Sequence, residues 1–219
     1  MHRSPAATAR LGTAALLLVV VFAATAVAVH FARPEYEGWH APLSYYLAGP
    51  ASAWLRGAYC GLSLGVVLLA AGLWRSLAPA ARLQLVPVLF AAGGAALAVT
   101  AAWPGASPGH PVDDLGALIH GLSAMCSFLF VGVAMLLQSA SLHRDPHWRP
   151  LAVPLLVLAA LAFAGLWWHA LDRSLPRGAS QKAVIALYVL WLGTVAWRLR
   201  SAPLRAGAAS PAEIQPARD

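Results

Sequence analysis

Charge is what this sequence has least of. Lysine, arginine, aspartate and glutamate together make 11% of its 219 residues, where a soluble domain carries about a quarter. So few charges cannot wet a surface of that size. A water-exposed globule is therefore excluded, and lipid must cover much of the chain. Acids are scarcer still than bases, eight against 15, which leaves a formal charge of +7. Cysteine is nearly absent: Cys60 and Cys126 both lie in apolar runs. Two such thiols make no disulfide framework and read as small packing residues. The basic residues are scattered singly and form no aromatic-laced patch, so no nucleic-acid partner is expected. No phosphate-cradling glycine loop, nucleophile elbow or haem-attachment motif is present.

What the sequence does have is apolar runs, with 60% of its residues hydrophobic. Six runs of about 20 residues fall at roughly 12–32, 54–75, 83–103, 115–138, 151–169 and 182–199. A run of about 20 residues crosses a hydrocarbon core of about 30 Å as a helix. Lipid offers the backbone no hydrogen bonds, so each run must satisfy its own, which requires helices. The runs do not alternate polar with apolar, which excludes a strand barrel. The expected fold is all-α, a polytopic membrane bundle of six transmembrane helices forming a single domain over residues 1–200. The first run has a basic start (His2, Arg3, Arg10) like a secretory signal, but its apolar stretch is longer than the ~7–15 residues of a signal core. It is read as an uncleaved anchor. Residues 201–219, with their prolines and no apolar period, are read as a disordered cytoplasmic tail.

Basic residues prefer cytoplasmic loops. With the N-terminus inside, ten of the 15 basic residues fall inside and five outside; three acids fall inside and five outside. The inside then nets about +7 and the outside about zero. The expected topology has both termini cytoplasmic in a cell inner (plasma) membrane. This orientation collects His30, His40, His110, His120 and His169 on the outer half. The longest outer loop, residues 32–53, carries Trp39, Tyr45 and Tyr46 and is read as an interfacial lid lying on the bilayer. In the loop over 104–115, Asp113 or Asp114 is expected to cap the fourth helix. His120 lies about 8 Å along that helix, on a small, polar face with Gly116, Ser123 and Ser127. Ionisable groups at such depth are costly and are functional candidates; the competing reading is a neutral histidine bonded to a neighbouring helix. In the loop over 167–182, His169 and Asp172 share a helix face, and Arg177, Gln181 and Lys182 follow. Arg173 and Lys182 are read as solvated charges. The candidate outer-face pocket is His110, Asp113, Asp114, His120, His169, Asp172, Arg177 and Gln181.

Three stretches carry a resemblance: "PLSYYLAGP" before the second span, "WPGASPGHPVDDLGALIHG" into the fourth, and "LPRGASQKAVIALYVLWL" into the sixth. On these, over roughly residues 12–200, the chain resembles the bacterial six-span membrane family catalogued as domain of unknown function 998. The resemblance implies a six-helix membrane fold and no stated activity. The family's aromatic-Pro-x-Asp run after span three reads Trp103-Pro104-Gly105-Ala106 here, so no acid is expected to act at that point.

Four functions compete. In the first, the candidate residues line a pocket beneath the long outer loop and bind or modify a lipid or amphiphile, with Arg177 and Gln181 on an anionic headgroup; histidines and carboxylates together could also hold zinc, though no paired-ligand spacing fixes such a site. The second is a haem protein with His120 and His169 as axial ligands. The third is a small-solute transporter, disfavoured because the span middles hold little beyond Thr100, Ser127 and Thr194. The fourth is a non-catalytic membrane assembly or scaffold protein. The residues do not decide between enzyme and binder, and they name neither a cofactor nor a metal.

Overall fold

The computed structural model of the chain describes residues 5–201. The tail expected over 201–219 lies, apart from Ser201, outside the described residues. Six helices account for the six apolar runs: α1 (Pro5–Ala32), α2 (Ser52–Ser76), α3 (Leu85–Ala102), α4 (Asp114–Ser141), α5 (Arg149–Leu171) and α6 (Arg177–Arg200). All six are long and apolar enough to cross a membrane.

Local chemistry sets their ends. Asp113 is the N-cap of α4, its Oδ1 accepting from the Gly116 N–H at 2.8 Å, which satisfies one of the free donors at the helix start. Asp114 follows in the first turn and stays exposed. α3 stops at Ala102 because Trp103 precedes Pro104, and a residue before proline is driven out of the helical region. The carbonyls left free there are taken by Arg56, whose guanidinium donates to Ala101 and Ala102 at 2.8 and 3.1 Å. Pro87 falls in the first turn of α3, where the missing N–H would have had no helical partner. Pro154 is inside α5.

The helices run up and down in sequence, each packed on the next, and α6 returns against α1 to close a ring. Absent side chains set the closest approaches. A Cβ at Gly12 of α1 would stand 2.7 Å from Leu199 of α6, and one at Gly93 of α3 would stand 2.6 Å from Val131 of α4. One at Gly132 of α4 would collide with the Tyr188 hydroxyl of α6. In lipid, where apolar surface gains nothing by leaving its surroundings, such close backbone packing and interhelical hydrogen bonds hold a bundle together. Ser63 donates to the Gly94 carbonyl (2.6 Å), Tyr188 to the Phe128 carbonyl (2.8 Å) and the Trp191 indole to Ser139 Oγ (3.0 Å).

The two ends of the ring differ. At the end where α1 begins and α6 finishes, α2 meets α6 across the middle, with Leu199 packed on Gly72. Leu69, Leu73, Phe90, Met135, Trp191 and Leu199 fill that half without solvent access. Asp145 staples its two short loops, its carboxylate accepting from the N–H groups of Ala78, His147 and Trp148 at 2.7, 2.9 and 3.2 Å. The other, distal half of the ring is not filled in this way.

The long loop after α1 is no flat lid. Its 3-10 turn, Leu43–Leu47, buries Leu43, Tyr46 and Leu47 in the top of the bundle. Trp39 alone of its expected interfacial aromatics is largely exposed, at 61%. Tyr46, expected to face the headgroups, is instead enclosed by protein. Its ring stacks with His30 (4.6 Å between centroids) and meets the edge of Tyr36, and this clustering outweighs the preference of a phenol for the interface.

Candidate functional site

The distal half of the ring encloses a narrow cavity of about 80 Å³. It is lined by α1, α2, α3, α4 and α6 and roofed by Ser44 of the 3-10 turn, while α5 contributes nothing to its wall. That volume exceeds the ~10–15 Å³ needed for one water by several fold. The lining is graded. Ser44, Gln181, His120, Thr100 and Tyr59 stand within about two turns of the distal helix ends; Ser127 and Tyr188 lie deeper; Val66, Val131 and Leu192 form the floor. From Gln181 to Leu192 the wall drops about 16 Å along α6.

Each polar group is held by a neighbouring element. His120 Nδ1 lies 2.8 Å from the Trp103 carbonyl. A carbonyl only accepts, so Nδ1 carries a proton, and in that tautomer Nε2 is the acceptor nitrogen. The ring fits because residue 105 is glycine: a Cβ there would stand 2.6 Å from His120 Cδ2. Thr100 donates to Ser123 Oγ at 2.9 Å, and Ser123 to the His120 carbonyl at 3.1 Å, tying the end of α3 to the polar face of α4. Gln181 Oε1 accepts from the Leu43 N–H at 2.8 Å. That bond commits its oxygen to the roof and leaves its amide N–H₂ as a donor. Tyr188 is engaged with Phe128; Tyr59, 7% exposed, lines the cavity from α2.

The roof is built from the three distal loops together. Arg33, only 4% exposed, is its centre. The guanidinium donates to the carbonyls of Ala48 (2.8 Å) and Pro50 (3.3 Å), pairs with Glu35 and lies over the Tyr36 ring. The Arg33 guanidinium holds the Glu35 carboxyl below its ordinary range, and burial pushes the Tyr46 hydroxyl up. The second distal loop makes a type II turn, Ser107-Pro108-Gly109-His110, with the positive φ of Gly109 (77°) where that turn requires it. The turn places the His110 ring against Gly49, where a Cβ would stand 2.7 Å away. The third loop enters α6 beneath the first: the Ala179 N–H donates to the Trp39 carbonyl at 2.8 Å, and a Cβ at Gly178 would stand 2.5 Å from the Ala41 carbonyl.

Gly49, the turn over 107–110 and Gly178 fall in the three stretches picked out in the sequence, while Arg33, Trp39 and Ala41 lie just ahead of the first; a family match covers them all. The chain matches the model of a family described as "Protein of unknown function (DUF998)" over residues 6–198. It belongs to that family. No curated protein and no solved structure matches it.

Of the eight candidate residues, two line the cavity of this DUF998 chain: His120 and Gln181. His110 packs in the roof. Asp113 is occupied as a helix cap. Asp172 closes a turn of its own, accepting from the N–H and hydroxyl of Ser174 and from the Trp168 indole, and these bonds, the Ser174 hydroxyl first, hold its carboxyl below the ordinary range. His169 Nδ1 lies 2.7 Å from Ser180 Oγ, whose proton goes to the Pro176 carbonyl, and Arg177 donates to the His169 carbonyl. His169 and Arg177 thus join α5 to α6 outside the cavity. His120 and His169 do not share that cavity, as a pair of axial ligands would. Among the described residues no three His, Cys, Asp or Glu side chains gather closely enough to hold a metal ion. Ser44, Tyr59, Tyr188 and Arg33 escaped the sequence reading. Tyr59 and Tyr188 were legible as hydroxyls within apolar spans, a signal as good as Thr100. Arg33 looked like one more flanking charge, and only the fold shows what it grips.

Proposed function

We propose that this DUF998 protein holds a lipid or other amphiphile in the distal cavity, its polar head under the loop roof and its chain pointing down toward Val66, Val131 and Leu192. The observation that carries the reading is the grading of the lining, from His120, Gln181 and Ser44 at the top to hydrocarbon at the floor. An amphiphile matches both ends of such a cavity: donors and acceptors fix its head, and burial of its chain supplies affinity without specificity. His120 Nε2 accepts from a head hydroxyl, and the Gln181 amide donates to a head oxygen. In this reading the chain lies in the plasma membrane with both termini cytoplasmic, the orientation that the charge bias favours, so the roof faces outward.

The test is lipid co-purification followed by exchange, read by mass spectrometry on the intact chain. Ser127→Leu fills the middle of the cavity and is expected to abolish retention of a co-purifying amphiphile. His120→Ala plus Gln181→Ala is expected to weaken retention about tenfold or more, as loss of two hydrogen bonds near ~1 kcal/mol each predicts. Unchanged retention in both variants rejects the reading in favour of a scaffold without a ligand.

A further inference from the structure

A second hollow lies on the outside of the ring, between α1 and α6. It measures about 680 Å³ and is walled by apolar residues such as Ala26, Val27, Ala186 and Leu190. Val27 and Leu190, 61% and 57% exposed, stand at its open side, so it faces the bilayer. Its only titratable lining residues are His30 and Lys182, both at the distal end. The hollow continues from Lys182 to Leu190, about 12 Å along α6, against about 15 Å for half of a ~30 Å hydrocarbon core. It is therefore a groove one leaflet deep with its cation at headgroup level.

The cation is under-used. Lys182 Nζ donates to the Gly38 carbonyl and sits 5.8 Å from the centre of the Tyr46 ring. Three donors on an ammonium leave at least one without an acceptor. Among the described residues no carboxylate lies within 4.0 Å of it; the ion pairs of the distal loops join Glu35 to Arg33 and Glu37 to His40. His30 Nδ1 is engaged by the Ala26 carbonyl at 2.7 Å, so Lys182 is the group free to meet an anion. A half-buried ammonium without a counter-charge, at the head of an apolar groove of leaflet length, is complementary to a negatively charged headgroup carrying an acyl chain.

We propose that the α1–α6 groove is a binding site for an anionic phospholipid, its phosphate on Lys182 Nζ and one acyl chain laid between Ala26, Val27, Ala186 and Leu190. The site is separate from the interior cavity and does not depend on the reading given to it. The two share only a thin wall of Phe22, Ile185 and Val189.

Native mass spectrometry of the full chain in detergent, titrated with phosphatidylglycerol and with phosphatidylcholine, tests the assignment. Phosphatidylglycerol adducts are expected to outnumber phosphatidylcholine adducts about fivefold, the factor equivalent to ~1 kcal/mol per basic residue near a charged headgroup. Lys182→Gln is expected to bring the ratio to unity, and Lys182→Arg to preserve it. Ala186→Trp fills the groove with Lys182 in place and is expected to remove both adducts, which keeps the test open should Lys182→Gln not fold. Equal adducts in the unaltered chain, an unchanged ratio in Lys182→Gln, or undiminished adducts in Ala186→Trp overturns the proposal. Ser127→Leu is expected to leave the adducts unchanged. Their loss in Ser127→Leu, with survival in Ala186→Trp, would put the lipid in the interior cavity instead.

Discussion

A guanidinium removed from water is stable only when its donors are matched, and Arg33 shows how the match is made here. Two backbone carbonyls, one carboxylate and one aromatic face surround it. Replacing it with methionine keeps the bulk but strands the Ala48 and Pro50 carbonyls, at a cost on the order of 3 kcal/mol. Arg33→Met is expected to lower the melting temperature in detergent and to open residues 33–51 to protease. Glu35 gives the same link a pH dependence. Its pKa is lowered in the folded chain, so its contribution is fully present above the ordinary glutamate value of about 4.3. It is lost as pH falls through the lowered value. Protease resistance of the loop is expected to be flat from about pH 5 upward and to fall below about pH 4; Glu35→Gln should remove that fall. Asp172 is shifted the same way by Ser174, so Asp172→Asn serves as the control for a pH effect arising at the third loop.

Helices in this protein are placed by what they lack at a few positions. Gly12 lets α1 lie directly on the Leu199–Arg200 backbone of α6. Even alanine there would stand 2.7 Å from two atoms of α6, so the helices must part or the backbone must shift. Gly12→Val is expected to cost about 1–3 kcal/mol, as overpacking commonly does, and to show as a lower unfolding midpoint. Gly178→Ala works at the other end of α6, against the Ala41 carbonyl; its expected signature is faster amide exchange in residues 38–48 with the six spans intact. The positions of these elements were legible early. Six apolar runs announced six helices, and the Asp-Asp pair announced a cap. Which helix faces which was not legible, because glycine reads identically at a lipid-facing position such as Gly57 and at a backbone crossing such as Gly12.

At the scale of the whole molecule, a ring of six antiparallel neighbours puts the start of α1 and the end of α6 at one end and three loops at the other. The terminal half is solid; the distal half holds a cavity under a locked roof. The topology is checked by single cysteines in a Cys60→Ser, Cys126→Ser background. Glu37→Cys and Arg173→Cys are expected to react with an impermeant thiol reagent from the face opposite Arg144→Cys. Reaction of all three from one side would reject the up-and-down ring. Reaction of Arg144→Cys from outside intact cells would reverse the proposed orientation and turn the roof to the cytoplasm.

The sequence by itself determined what a solvent can enforce. Too little charge for water, runs long enough for lipid and a backbone that must bond to itself left no fold but a helix bundle, and the scatter of arginine pointed to one orientation. Those are properties of segments, each decided by its own composition. Only the tertiary structure decided that His120 and Gln181 share a cavity while His169 and Asp172 stand outside it, that Arg33 is buried, and that Lys182 caps a groove. Those outcomes depend on crossings between helices far apart in the chain, where one missing Cβ or one carbonyl within reach settles the neighbour, and no periodicity within a span carries that information.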